Sequence, residues 1–222
     1  MLDTLNNNLV IGIETSQIIC SIAWWMEDKI LLEYNIESPN NHATLLPELI
    51  YEGFKKVKYN PLDICLICVT TGPGSFTGLR IGMAYAKGLC YGLNKPIIAL
   101  TNFEILALQA PSDSVPIYTL IDARRGNIYL GKFQKDHKIL SSISILPRSK
   151  FKDILTSHTT LVVHDNLRLD DGFLDGYKGK IIYGKYDVGL LCEFGYKKYQ
   201  SGYRVDINKL EPLYVQQFAG MK

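Results

Sequence analysis

The alternation of apolar and polar positions opens on LVIGIE, which predicts a strand over Leu9 to Glu14. A hairpin follows, with arms Ile18 to Met26 and Ile30 to Ile36 joined by Glu27-Asp28-Lys29. The period then changes. Leu46, Leu49, Ile50, Gly53, Phe54 and Val57 recur at i, i+3, i+4 spacing and predict a helix over about Ala43 to Val57, in which Pro47 is tolerable only in the first turn. LDICLICVT is an unbroken apolar run between Pro61 and Gly72, and predicts a buried strand over Ile64 to Thr70. A helix from about Phe76 to Tyr91, a strand Ile97 to Leu100 and a helix from about Asn102 to Ala110 complete this half.

After the proline-bounded stretch Pro111 to Pro116 the pattern starts again. Ile117 to Asp122 reads as a strand, Asn127 to Gln134 and Ile139 to Ile145 as a hairpin, and Arg148 to Leu155 as a short helix. Leu161 to Val163 and Ile181 to Tyr183 read as strands, and Asp187 to Tyr199 as a closing helix stopped by Gly202. In each half an acid ends the first strand, Glu14 in IGIETS and Asp122 in TLIDAR. Fourteen residues later each half has an aspartate at the hairpin turn, Asp28 and Asp136. The repeated order predicts a duplicated α/β unit, with subdomains over 1–110 and 111–222.

Composition adds little to this picture. With 47% apolar and 21% charged residues in 222, the chain is ordinary globular protein. No uncharged apolar run approaches the ~20 residues of a membrane span. Met1 to Asn8 lacks the basic start of a signal peptide, so a soluble, cytoplasmic protein without a membrane role is expected. Residues 1–110 carry 7 basic and 10 acidic side chains, and 111–222 carry 17 and 12, too mild an excess to argue nucleic-acid binding by itself. Arg124-Arg125 and Lys197-Lys198 read as solvated surface. The five cysteines are expected reduced. Cys65 and Cys68 point to opposite faces of a strand and read as core rather than as a chelating pair.

The most informative segment is Thr70-Thr-Gly-Pro-Gly-Ser-Phe-Thr-Gly-Leu-Arg-Ile-Gly82, which follows a strand and opens a helix. Gly72 and Gly74 allow a tight turn, Pro73 stiffens it, and Ser75 or Thr77 can cap the helix that begins at Phe76. A glycine-rich turn into a helix N-terminus is a generic anion cradle, yet the lysine of a P-loop is missing, so a structural turn stands beside anion binding. Gly78, Gly82, Gly88 and Gly92 lie in or beside the helix, each interior glycine costing ~1 kcal/mol relative to alanine. Gly78, Gly82 and Ala86 form a smooth i, i+4, i+8 stripe, which fits close packing within the chain or against a partner subunit.

TTGPGSFTGLRIG with AYAKGLCYGL resembles the signature of the TsaB family, and IGIETS, NHATLLPELI, IDARRGNIYLGKF and EPLYVQ are similar to other stretches of it. The resemblance implies a duplicated actin-like fold, of the ribonuclease-H-like class, with two subdomains. It implies a non-catalytic subunit of the machinery that makes threonylcarbamoyladenosine beside the tRNA anticodon. That subunit pairs with and activates a TsaD-type transferase, is joined by a TsaE-type ATPase, forms a homodimer when alone and meets tRNA at most indirectly. The implied interface comprises Leu46, Leu49 and Ile50 with Gly78, Leu79, Arg80, Gly82, Met83 and Ala86; Gly72, Pro73, Gly74, Ser75, Phe76 and Thr77 form the motif loop. No cofactor of the chain's own is implied, ATP or ADP being a candidate only at the shared interface.

TsaD-type proteins hold a metal with H-x-x-x-H after the strand that follows this helix. Asn102 and Leu106 stand there instead, and leucine cannot ligate a metal. His42, His137, His158 and His164 offer no ligand or protease pattern. The alternative is an actin-like small-molecule kinase or ATP-binding protein. Against it, Thr15-Ser16-Gln17 lacks glycine and Asp122 is followed by Ala123-Arg124-Arg125, which would hinder the backbone approach that phosphates need. Glu14 and Asp122 are expected instead to accept hydrogen bonds from turn N–H groups.

Overall fold

The computed structural model describes residues 8–111, 113, 116–134, 143–169 and 172–215. It divides into two units, one made of Met1–Thr101 with Asp187–Tyr214, the other built on Asn102–Tyr186. The expected split at 110 therefore falls nearer 101, and the closing helix belongs to the first unit.

The first unit is a five-stranded sheet of β1 (Leu9–Glu14), β2 (Ile19–Met26), β3 (Lys29–Glu37), β4 (Ile64–Thr70) and β5 (Ile97–Leu100), in the order β3-β2-β1-β4-β5. The hairpin arms β2 and β3 turn at Glu27 and Asp28, both left-handed at φ 50° and 59°, the geometry that matches strand twist. β4 lies parallel to β1, pairing Ile11 with Ile67 and Gly12 with Cys68. The pleat sends Leu9, Ile11 and Ile13 to one face, where α1 (His42–Val57) and α2 (Phe76–Leu93) cover them with Leu46, Ile50, Phe54, Met83, Ala86 and Cys90. Trp24 is fully buried there, edge-on to Phe54 at 5.8 Å and to Tyr34 at 5.9 Å. The other face is closed by α4 (Val188–Gln200), whose Cys192 meets the Ala23 carbonyl and whose Tyr196 ring sits 5.2 Å from Trp25.

One local expectation for α1 is corrected. The helix starts at His42, so Pro47 lies in its second turn; it is accommodated because Ala43, whose carbonyl loses the donor, is exposed to water. His42 is the first residue of the helix and is buried.

The second unit repeats the plan. β6 (Ile117–Asp122), β7 (Asn127–Phe133), β8 (Ser144–Pro147), β9 (Thr160–His164) and β10 (Lys180–Gly184) pair in the order β10-β9-β6-β7-β8, with the same parallel and antiparallel neighbours as the first sheet. The duplication read from the element order is thus present in the topology; Asp136 and His137 lie outside the described residues. α3 (Asn102–Ala107) covers one face and ends three residues short of the expected Ala110, in turns before Pro111. Arg148 to Leu155 is not an α-helix but two short 3₁₀ turns, Arg148–Lys150 and Lys152–Ile154. Its one deep anchor is Phe151, buried beside Leu120, Leu130 and Leu161, too little to offset the cost of nucleating an α-helix.

Candidate functional site

The motif loop is tied to the end of β1. Gly72 adopts φ +106°, a conformation side chains rarely take, and the Gly72-Pro73 bond is cis. The Ser75 N–H donates to the Ser16 carbonyl at 2.6 Å, and Ser75 Oγ caps α2 by accepting from the Gly78 N–H at 3.2 Å. Ser75, of the two cap candidates, fills the role. Gly74 lies so close to Ser16 that a Cβ would sit 2.6 Å from the Ser16 Cβ.

The stripe continues this contact. A Cβ on Gly78 would overlap the Thr15 carbonyl oxygen, and one on Gly82 would overlap Thr15 Oγ1. Thr15 Oγ1 donates to the Gly78 carbonyl at 2.8 Å, so strand end and helix are locked together. Leu79, Met83 and Ala86 are buried on the same side, as are Leu46 and Ile50 on α1. The expected interface is corrected accordingly: Leu46, Ile50, Gly78, Leu79, Gly82, Met83 and Ala86 pack within the chain, because the apolar stripes are consumed against the sheet. Of the nine residues, Arg80 is exposed and Leu49 half-buried.

Glu14 ends β1 beneath this loop and is 2% exposed. Its Oε1 accepts from the Ser16 N–H at 2.6 Å and the Thr70 hydroxyl at 3.2 Å, and burial pushes the carboxyl up to about 7, the hydrogen bonds opposing the rise. Asp122, its counterpart, accepts from the Arg124 N–H at 3.0 Å and faces Arg148 at 3.4 Å. Both carboxyl groups hold turns, as their place in the sequence suggested.

The outward side of α2 carries a second small-residue row, Ala84, Gly88 and Gly92, with the same spacing as the first. Nothing lies within 4 Å of where a Cβ would sit on Gly88 or Gly92. On one flank runs a groove of about 560 Å³ shared with α1, walled by Ile50, Tyr51, Phe54, Tyr85 and Leu89 and edged by Lys55 and Lys58. On the other flank lies the segment after α4. Leu210 is buried in the core, the Leu213 N–H donates to the Thr71 carbonyl at 2.7 Å, and Asn208 accepts from the Tyr91 hydroxyl at 2.5 Å. Tyr214 packs on Phe76 at 5.4 Å and accepts from Arg80 Nε at 3.1 Å, while the Arg80 guanidinium lies 3.7 Å over the Phe76 ring. Sequence reasoning missed this row, although its i, i+4, i+8 spacing was there to be found.

Asn102 and Leu106 are fully buried in α3. His164 closes β9 under the Tyr186 ring, its Nδ1 accepting from the Asn166 N–H, and burial lowers its pKa despite Asp165; His158 is exposed. Among the described residues no cluster of three His, Cys, Asp or Glu side chains could hold a metal ion. No helix among them is long and apolar enough to cross a membrane.

Two sheets of one topology, each backed by helices, define an actin-like α/β fold. Over 94% of its length the chain superposes on all of a Pseudomonas aeruginosa protein described as similar to peptidase YEAZ, with TM-score 0.78 and 20% identity. YeaZ from the same organism gives 0.74 and 20%, covering 93% of this chain and 99% of that one. In sequence, residues 36–156 match the family TsaD, tRNA N6-adenosine threonylcarbamoyltransferase. The tRNA threonylcarbamoyladenosine biosynthesis protein TsaB of Bacillus subtilis is 33% identical over 60% of this chain and 58% of its own length; that of Escherichia coli is 28% identical over 57% and 55%. The chain therefore belongs to the TsaD family, and it is similar in sequence to TsaB proteins. Its matches span a little over half the length of these two relatives.

Proposed function

We propose that this chain acts in tRNA threonylcarbamoyladenosine biosynthesis as a non-catalytic, cytoplasmic subunit that pairs with and activates a TsaD-type transferase. A TsaE-type ATPase would join the pair, and any ATP or ADP would be held at the shared interface. What carries the non-catalytic assignment is α3: the positions where the family resemblance implies metal-binding histidines hold Asn102 and Leu106, sealed in the core with no donor set for a transition metal. The pairing surface is assigned to the outward side of α2 and the adjoining groove, where glycine and alanine leave room for a second helix to approach closely. Like the free chain's homodimer, this is a contact between helices rather than a site of chemistry.

The test is reconstitution with one component omitted. TsaD, TsaE, the enzyme that makes threonylcarbamoyl-adenylate, ATP and tRNA are incubated with and without this chain, and modified adenosine is counted over many turnovers. Product that depends on the chain, and does not form when the chain replaces TsaD, supports an obligatory non-catalytic subunit. Undiminished product in its absence refutes the activating role.

A further inference from the structure

On the outward side of α2, the residues Arg80, Ala84, Lys87 and Tyr91 follow one another at helical spacing. Arg80 and Lys87 are the only charged side chains of the helix, which has no carboxylate at all. Arg80 is held rather than free to sweep. Its plane is stacked on Phe76, its Nε is engaged by the Tyr214 hydroxyl, and Tyr214 is itself fixed next to Leu213, whose N–H bonds to Thr71. Among the described residues no Asp or Glu pairs with it; Glu52 of α1 is taken up by Lys55. A guanidinium with its stem and Nε fixed presents its two terminal NH₂ groups as a preset fork, the geometry that binds a carboxylate in bidentate fashion.

We infer that Arg80, positioned by Phe76 and Tyr214 and assisted by Lys87, is the specificity-determining element of the pairing surface, and that it recognises carboxylates on a helix of the TsaD-type transferase. This assignment rests on the pairing proposed above. A second copy of the chain fits less well. In a two-fold contact through the same surface, the α2 of one copy meets the α2 of the other, so Arg80 and Lys87 would face their own kind with no acid on either helix. An acidic partner removes that repulsion and gains the ion pair, so the charge row favours hetero-pairing over self-pairing.

The experiment compares the full chain with Arg80→Ala, Arg80→Lys and the double variant R80E/K87E. Each is titrated calorimetrically with the TsaD-type transferase of the same organism at low and high salt, and the melting temperature of each lone variant serves as the folding control. Arg80 is exposed, so melting should stay put. The dissociation constant should rise about tenfold or more for R80E/K87E, less for Arg80→Ala, and least for Arg80→Lys. Salt should weaken the wild-type complex and, by screening the new like-charge repulsion, strengthen that of R80E/K87E. Tyr214→Phe should weaken binding to near the level of Arg80→Lys, because it frees Nε while keeping the ring. Equal affinity and salt dependence for wild type and R80E/K87E overturns the inference and leaves the pairing proposal standing. No complex with wild type overturns both. A lone-chain dimer lost in R80E/K87E while the transferase complex survives would make a second copy the occupant and overturn the assignment.

Discussion

Replacing Gly78 and Gly88 of one helix by alanine should move stability in opposite directions. At Gly78 the new Cβ would come inside 3.0 Å of the Thr15 carbonyl oxygen and 3.3 Å from its carbon, and that backbone cannot swing aside because Thr15 is 2% exposed and bonded to the Gly78 carbonyl. Overpacking of this kind costs ~1–3 kcal/mol, and the strained hydrogen bond adds ~1 kcal/mol. Alanine's helix preference returns ~1 kcal/mol, leaving a net loss of about 2 kcal/mol. At Gly88 nothing lies within 4 Å, so the helix preference acts alone and should stabilise by ~1 kcal/mol. Urea unfolding followed by tryptophan fluorescence reads the right unit, since both tryptophans, Trp24 and Trp25, are buried in the first sheet. A Gly78→Ala variant as stable as Gly88→Ala would show that the inward stripe is not packed on Thr15.

Two further outcomes are expected of the isolated chain. Glu14 is protonated in the folded state up to about 7 but only to about 4.5 when unfolded, so the folded state binds the extra proton and this group's contribution to stability falls as pH rises between those values. The unfolding free energy of wild type, from urea titrations, should therefore drop relative to that of Glu14→Gln from pH 4.5 to 7, by up to about 3 kcal/mol, and run parallel above; parallel curves throughout would exclude a buried, shifted carboxyl. Burial pushes the thiols up as well, Cys20 and Cys90 to about 12, Cys65 to about 11, and Cys68 and Cys192 well up. A disulfide reagent at pH 8 should modify the native chain slowly and all five cysteines in denaturant, and a fast-reacting native thiol would contradict the packing.

The elements were legible because their signals are local. LDICLICVT is long, apolar and proline-bounded, and becomes β4; Asp187 caps α4 through the Leu190 N–H where the pattern places its start. The carboxyl groups of Glu14 and Asp122 were legible for the same reason, each bonding an N–H two residues on. What could not be read is which side of a helix faces in. Gly78-Gly82-Ala86 and Ala84-Gly88-Gly92 have identical spacing, and the choice is made by Thr15, 63 residues from Gly78 in sequence. Likewise nothing in VGLLCEFGYKKYQ names the sheet it covers. Gly195 lets α4 settle against Cys68, a contact that only the folded chain reveals.

That return of α4 has a consequence for synthesis. The second unit is an insertion in the first, so every strand of the first sheet has been synthesised by Leu100, whereas the helix that covers one of its faces ends at Gln200. At bacterial and eukaryotic elongation rates the intervening residues take roughly 5–20 s to make. Throughout that interval Val10, Ala23, Leu66 and Cys68 belong to a nascent sheet without its final cover, while Asn102–Tyr186 is free to fold as its own unit. The late-made helix is thus a closing step in biogenesis, and the half-built first unit is the form of this protein most exposed to chaperones and to aggregation.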